Sequence, residues 1–127
     1  MIFVDANVLV YAVGAAHPLR DEARAFFEES LATARPLATS AEVLQELLHV
    51  YLPVGRLATL DAALALAGST IGTVWPVDGE DVRQARTLAD IHRGLGARDL
   101  LHLACCRRRE VQGIKTFDRA LAAAFTA

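Results

Sequence analysis

The chain has 127 residues, 54% of them hydrophobic, and a formal net charge of −2, which suits one core and one domain spanning 1–127 and excludes a global electrostatic hold on nucleic acid. Its mean hydropathy is +0.30, yet no apolar run approaches the ~20 residues of a membrane span, and Met1-Ile2-Phe3-Val4 runs into Asp5 without a basic leader, so a cytoplasmic location away from membranes is expected. The two cysteines, Cys105 and Cys106, are adjacent, a spacing that fits neither a structural disulfide nor a zinc site.

Ile2 to Val4 is a short apolar, β-branched and aromatic run, as expected of a parallel strand buried on both faces. A short helix over Asn7–Val13 follows, and after Gly14 and Pro18 an amphipathic helix over Leu19–Ala34. Pro36–Thr39 reads as a second strand. Ser40–Leu52 is helical up to Pro53 and Gly55, and Leu57–Ala67 is helical up to Gly68. Thr70–Val77 reads as the third strand, Asp78–His92 as a polar-faced helix closed by Gly94 and Gly96, and Ala97–Arg109 as a strongly apolar helix. Gly113–Thr116 is a fourth strand and Asp118–Ala124 a last helix. Strands separated by helices predict a parallel α/β sheet with right-handed crossovers. In such sheets ligands bind outside the carboxyl ends of the strands.

Four carboxylates share that edge. Asp5 leaves the first strand, and on its own it is explained as a helix cap. Thr39 with Glu42 three residues on makes a capping-box pattern, which gives Glu42 a structural task. Glu46 has none, and it lies at the border of the apolar arc of Val43, Leu47, Val50 and Tyr51, where a carboxylate is costly unless paired or metal-bound. Asp99 opens the most apolar helix on a face shared with His102, Leu103 and Cys106. Asp118 stands two residues after Thr116, at the exit of the fourth strand. Gathered together, such acids repel by roughly 4 kcal/mol per close pair at an effective dielectric near 20. A divalent cation removes that cost. Hard oxygen donors without a zinc spacing favour Mg²⁺ or Mn²⁺, a site suited to phosphodiester hydrolysis.

Phe3-Val4-Asp5-Ala6-Asn7-Val8-Leu9, Val43-Leu44-Gln45-Glu46-Leu47, Ala97-Arg98-Asp99-Leu100-Leu101-His102-Leu103-Ala104 and Thr116-Phe117-Asp118 resemble, in order, the signature segments of PIN-domain ribonucleases of the VapC type. The resemblance covers nearly the whole chain. It implies a three-layer α/β/α PIN-like fold with a four-stranded parallel sheet, or five-stranded as in many members, although no apolar β-run follows the last helix here. It further implies metal-dependent cleavage of RNA at Asp5, Glu46, Asp99 and Asp118, with Asn7, Thr39, Ser40 and Thr116 as supporting polar groups. Homodimerisation and control by a VapB-like antitoxin, whose C-terminal segment packs into the active-site groove, are also implied, in the manner of a type II toxin–antitoxin pair.

Other features read more plainly. His102 reads as a packing or hydrogen-bonded residue rather than a ligand. His17, His49 and His92 have no common spacing. Arg107-Arg108-Arg109 could grip RNA phosphates, but complementing the helix dipole is the favoured reading, and Trp75 reads as core. Three other functions are weighed. A haloacid-dehalogenase-like phosphatase needs an acid where Asn7 stands. A receiver domain would use Asp78 with Lys115 but carries paired acids after its first strand. A non-catalytic PIN-like RNA- or protein-binding module gains nothing from four clustered carboxylates.

Overall fold

A computed structural model describes Met1–Ala127. Its elements are β1 (Ile2–Val4), α1 (Ala6–Val13), α2 (Pro18–Ala32), β2 (Leu37–Ser40), α3 (Ala41–Tyr51), a 3₁₀ turn (Leu52–Val54), α4 (Leu57–Thr70), β3 (Thr73–Trp75), α5 (Gly79–Ala89), α6 (Ala97–Arg108), β4 (Gly113–Lys115) and α7 (Arg119–Thr126). The four strands form one parallel sheet in the order β3-β2-β1-β4. No helix is long and apolar enough to cross a membrane.

The central position of β1 follows from its residues. Phe3 and Val4 are wholly buried, which an all-apolar strand requires when helices cover both faces. The helices pack in two groups: α1 to α4 against one another, and α6 against both α5 and α7. The first group builds the larger core, with Leu9, Phe27, Leu47 and Ala63 around Phe3 and Val4. The second encloses Leu88, Leu103 and Leu121. The sheet between them makes the three-layer α/β fold expected from the alternation. β4 pairs only with β1 and forms an edge, so the sheet has four strands and no fifth.

Most boundaries shift by one to three residues from the sequence reading, α5 ending at Ala89 among them, and the change that alters a stop signal is at Gly68. α4 passes through Gly68 to Thr70, and β3 shrinks to Thr73–Trp75. Gly68 does not take the left-handed conformation of a helix stop, which among the glycines only Gly55 adopts, at φ 69°. Instead the Ser69 and Thr70 hydroxyls donate back to the Leu66 carbonyl at 3.2 and 2.6 Å, a bond that lets polar β-type residues end a helix. At its start, α3 is capped by Ser40, whose Oγ accepts from the Val43 amide at 3.3 Å. The expected Thr39–Glu42 capping box therefore does not form. Thr39 is still in the strand, fully buried, with its hydroxyl donating 2.8 Å to the Val4 carbonyl.

Candidate metal centre

The carboxyl ends of β1 and β4 adjoin, because Val4 is in register with Lys115. Each strand is followed by an acid that starts a helix: Asp5 caps α1 and Asp118 caps α7. Asp5 is only 4% exposed. Its Oδ1 accepts from the Ala6 amide at 2.7 Å and its Oδ2 from Thr116 Oγ1 at 2.6 Å. The same Thr116 oxygen accepts from Asn7 Nδ2 at 3.3 Å and from the Asp118 amide at 3.0 Å. Asn7 Oδ1 in turn accepts from the Phe117 amide at 3.1 Å. One hydroxyl thus ties both strand exits together.

Two further acids come from helices. Glu46 stands in the second turn of α3 and Asp99 in the first turn of α6. His102, wholly buried one turn beyond Asp99, places Nε2 at 3.0 Å from Glu46 Oε1 and 3.7 Å from Asp5 Oδ1. Asp5, Glu46 and His102 present ligand-type atoms within 4.8 Å of one another. Asp99 and Asp118 lie outside that tight trio; Asp99 feels the charges of Asp5 and His102, and Asp118 adjoins Asp99. Thr39 and Ser40 do not touch the carboxylates: they brace β1 and start α3.

The electrostatics are those of an uncompensated acidic cluster. Burial pushes the Asp99 carboxyl up to about 6, helped by the charges of Asp118 and Asp5. Burial also raises Asp5, against the lowering pull of His102 and Thr116. Burial alone would depress His102, but the Glu46 hydrogen bond and the nearby carboxylates outweigh it and hold the ring above its usual value. Carboxyls held above their usual range by burial and like charge mark a site short of positive charge.

The donor set fits a hard divalent cation: the Asp5 and Glu46 carboxylates stand together, Asp99 lies close enough to feel the charges of Asp5 and Asp118, and both thiols, Cys105 and Cys106, are buried and outside the trio. The site's other neighbour is Arg98, whose Nε sits 3.3 Å from Glu46 and 3.5 Å from Glu42. Sequence reasoning passed over Arg98. Its signal was the four-residue step to His102, which puts both on one face of α6 and so both on Glu46.

Other candidates lie elsewhere in the fold. Arg108 and Arg109 donate to Asp81 at 2.7 Å each, and Arg107 to the carbonyls of Ala124 and Ala127. The charges of Arg108 and Arg109 are met inside the molecule by the wholly buried Asp81, whereas Arg107 meets only backbone carbonyls near the end of α7. Trp75 stacks on Phe3 at 5.9 Å and carries Arg109 on its ring at 5.1 Å. Asp78 accepts from Arg108 and Lys115 donates to Glu22, so no receiver-type pair exists.

The PIN domain family model matches residues 2–125. The chain is 61% identical over 125 residues to Ribonuclease VapC23 of Mycobacterium tuberculosis, covering 98% of both proteins. It is 35% identical over 119 residues to Ribonuclease VapC13 of the same organism, covering 94% of this chain and 91% of that protein. The crystal structure of Mycobacterium tuberculosis VapC20, titled a sarcin-ricin loop cleaving toxin, superposes with a TM-score of 0.72 over 98% of this chain and 95% of that one. At 23% identity that likeness speaks for the fold.

Proposed function

The chain belongs to the PIN-domain family of VapC-type ribonucleases, and on that premise we propose that it hydrolyses RNA phosphodiester bonds with Mg²⁺ or Mn²⁺ held by Asp5, Glu46, Asp99 and Asp118. The observation that carries this reading is the convergence of those carboxylates on the ends of β1 and β4, with Asp5 buried and Asp99 at about 6. When bound, the cation supplies charge neutralisation at the phosphate and acidified water for attack. The protein's own groups prepare the place. Thr116 and the Ala6 amide hold both oxygens of Asp5 in fixed directions. Below about pH 6 a proton on Asp99 would compete with the cation, so acidity and cation uptake would oppose each other. Arg98, with its side chain 42% exposed, is the cation at the rim and suits contact with a phosphate.

The same reading makes residues 1–127 a single PIN domain acting as the toxin of a type II pair in the cytoplasm. A VapB-like antitoxin and a second copy of the chain are its proposed partners. Leu52, Val54 and Leu57 stand more than half exposed between α3 and α4, which supports a covered apolar face there.

Total RNA incubated with the purified protein tests the reading. Cleavage is expected with Mg²⁺ and is expected to vanish with EDTA and in Asp99→Asn. Equal cleavage in all three samples, or none in the first, removes the metal-nuclease reading.

A further inference from the structure

His102 is a buried polar group at the carboxylate cluster whose task the fold alone leaves unexplained. It is fully enclosed, yet its Nδ1 has no hydrogen-bond partner. Its Nε2 faces two carboxylate oxygens, Glu46 Oε1 at 3.0 Å and Asp5 Oδ1 at 3.7 Å. A neutral imidazole carries one N–H. Placed on Nδ1, that hydrogen would be a buried donor facing no acceptor, and the Nε2 lone pair would face the lone pairs of Glu46. Placed on Nε2, it satisfies the carboxylate. In the charged ring Nε2 carries a hydrogen as well.

The ring is also fixed in place. It lies 5.5 Å from the Phe3 ring, which is itself stacked on Trp75. The imidazole is thus packed against the aromatic side of β1 while Nε2 faces the carboxylates. Glu46 Oε1 is shared by two cations or donors: Arg98, which also meets Glu42 at the rim, and the buried His102, which also faces Asp5.

We propose that His102 is a positioning residue for Glu46: its Nε2–H turns the carboxylate toward Asp5 and stays on the nitrogen when a divalent cation is taken up, so His102 orients the cluster without ligating. An N–H nitrogen has no lone pair to give a metal. Hydrogen-bond partners of this kind are worth about 10- to 100-fold in metal affinity or activity. The inference rests on the metal-site reading above.

The test combines ¹⁵N NMR of the histidine ring, Mg²⁺ titration calorimetry and RNA cleavage, on the wild type, His102→Leu and His102→Gln. The glutamine amide can donate from the position of Nε2, and leucine cannot. The Nε2–H signature should persist when Mg²⁺ is added. Mg²⁺ affinity should fall about 10- to 100-fold in His102→Leu and return to within a few-fold of wild type in His102→Gln. Loss of the Nε2 hydrogen on adding Mg²⁺, wild-type affinity in His102→Leu, or glutamine doing no better than leucine overturns the inference alone. A wild type that neither takes up Mg²⁺ nor cleaves RNA overturns the metal reading with it. Should His102→Leu not fold, the wild-type spectra with and without Mg²⁺ still decide between orienting group and ligand.

Discussion

Thr116 donates its hydroxyl to Asp5 at 2.6 Å across 111 residues of sequence. The bond is charge-assisted and largely shielded from water, a class worth about 1.5–3 kcal/mol. Because the same oxygen accepts from Asn7 and from the Asp118 amide, Thr116→Val should loosen both strand exits at once. We expect RNA cleavage to fall about 10- to 100-fold with the melting temperature lowered, and Thr116→Ser to recover most of both. Single-turnover cleavage and thermal melts on the two variants check this, and a fully active valine variant would refute it.

Stability should depend on pH in a direction set by Asp99. Its folded-state carboxyl, at about 6 against an ordinary 3.8, binds a proton that the unfolded chain has already released. Between those values stability therefore falls as pH rises. His102, raised above its usual value, acts in the same direction, its contribution being lost as pH climbs through its folded pKa. Asp81, held far below the carboxylate range by Arg109 and Arg108 against the cost of burial, contributes nothing to the slope above pH 5. In EDTA the protein should melt higher at pH 5 than at pH 7.5. Mg²⁺ should narrow or reverse the gap, since it binds the deprotonated cluster. Scanning fluorimetry at the two pH values suffices, and a higher melting temperature at pH 7.5 in EDTA contradicts the assignment.

Glu42 and Glu46 share Arg98 but differ in everything else. Glu46 alone reaches His102 and the Asp5 cluster. Glu46→Gln should reduce metal-dependent cleavage by at least about 100-fold, the upper range for losing even a supporting group. Glu42→Gln should stay within a few-fold of wild type. Parallel cleavage assays at saturating Mg²⁺ separate the two, and equal losses would assign Glu42 to the site.

The arginines at the end of α6 should behave as structure rather than as an RNA grip. Asp81 is wholly buried and receives hydrogen bonds from both Arg108 and Arg109. Asp81→Asn should lower the melting temperature, since it removes the charge that two partly exposed arginines share while keeping an acceptor for them. Arg108→Ala should leave the salt dependence of RNA binding unchanged, because its charge is already neutralised by Asp78 and Asp81. Denaturant melts and filter binding at several salt concentrations measure each effect.

Much of this architecture is legible in the residues. Ile2 to Val4 announces a buried central strand by composition, and a strand so placed carries Asp5 to the ligand-binding edge. The step of four residues that separates Glu42 from Glu46 is legible on a helical wheel. What the chain conceals depends on packing between distant elements. The meeting of Glu46 with His102 and Arg98 requires the relative placement of α3 and α6, which no local pattern encodes. The α3 cap falls on Ser40 rather than Thr39 because pairing with Trp75 keeps Ser40 in β2, so the sheet decides where the helix begins. At Gly68 a local stop signal yields to a helix that continues with negative φ.

The sheet order joins the first strand of the chain to the last, β1 to β4, and the Asp5 carboxylate leans on a hydroxyl 111 residues downstream. A nascent chain therefore carries Asp5, Glu46 and Asp99 well before it carries the strand and the threonine that align them. Until synthesis has passed Asp118 and those residues have left the ribosome, the edge that gathers the acids is not assembled.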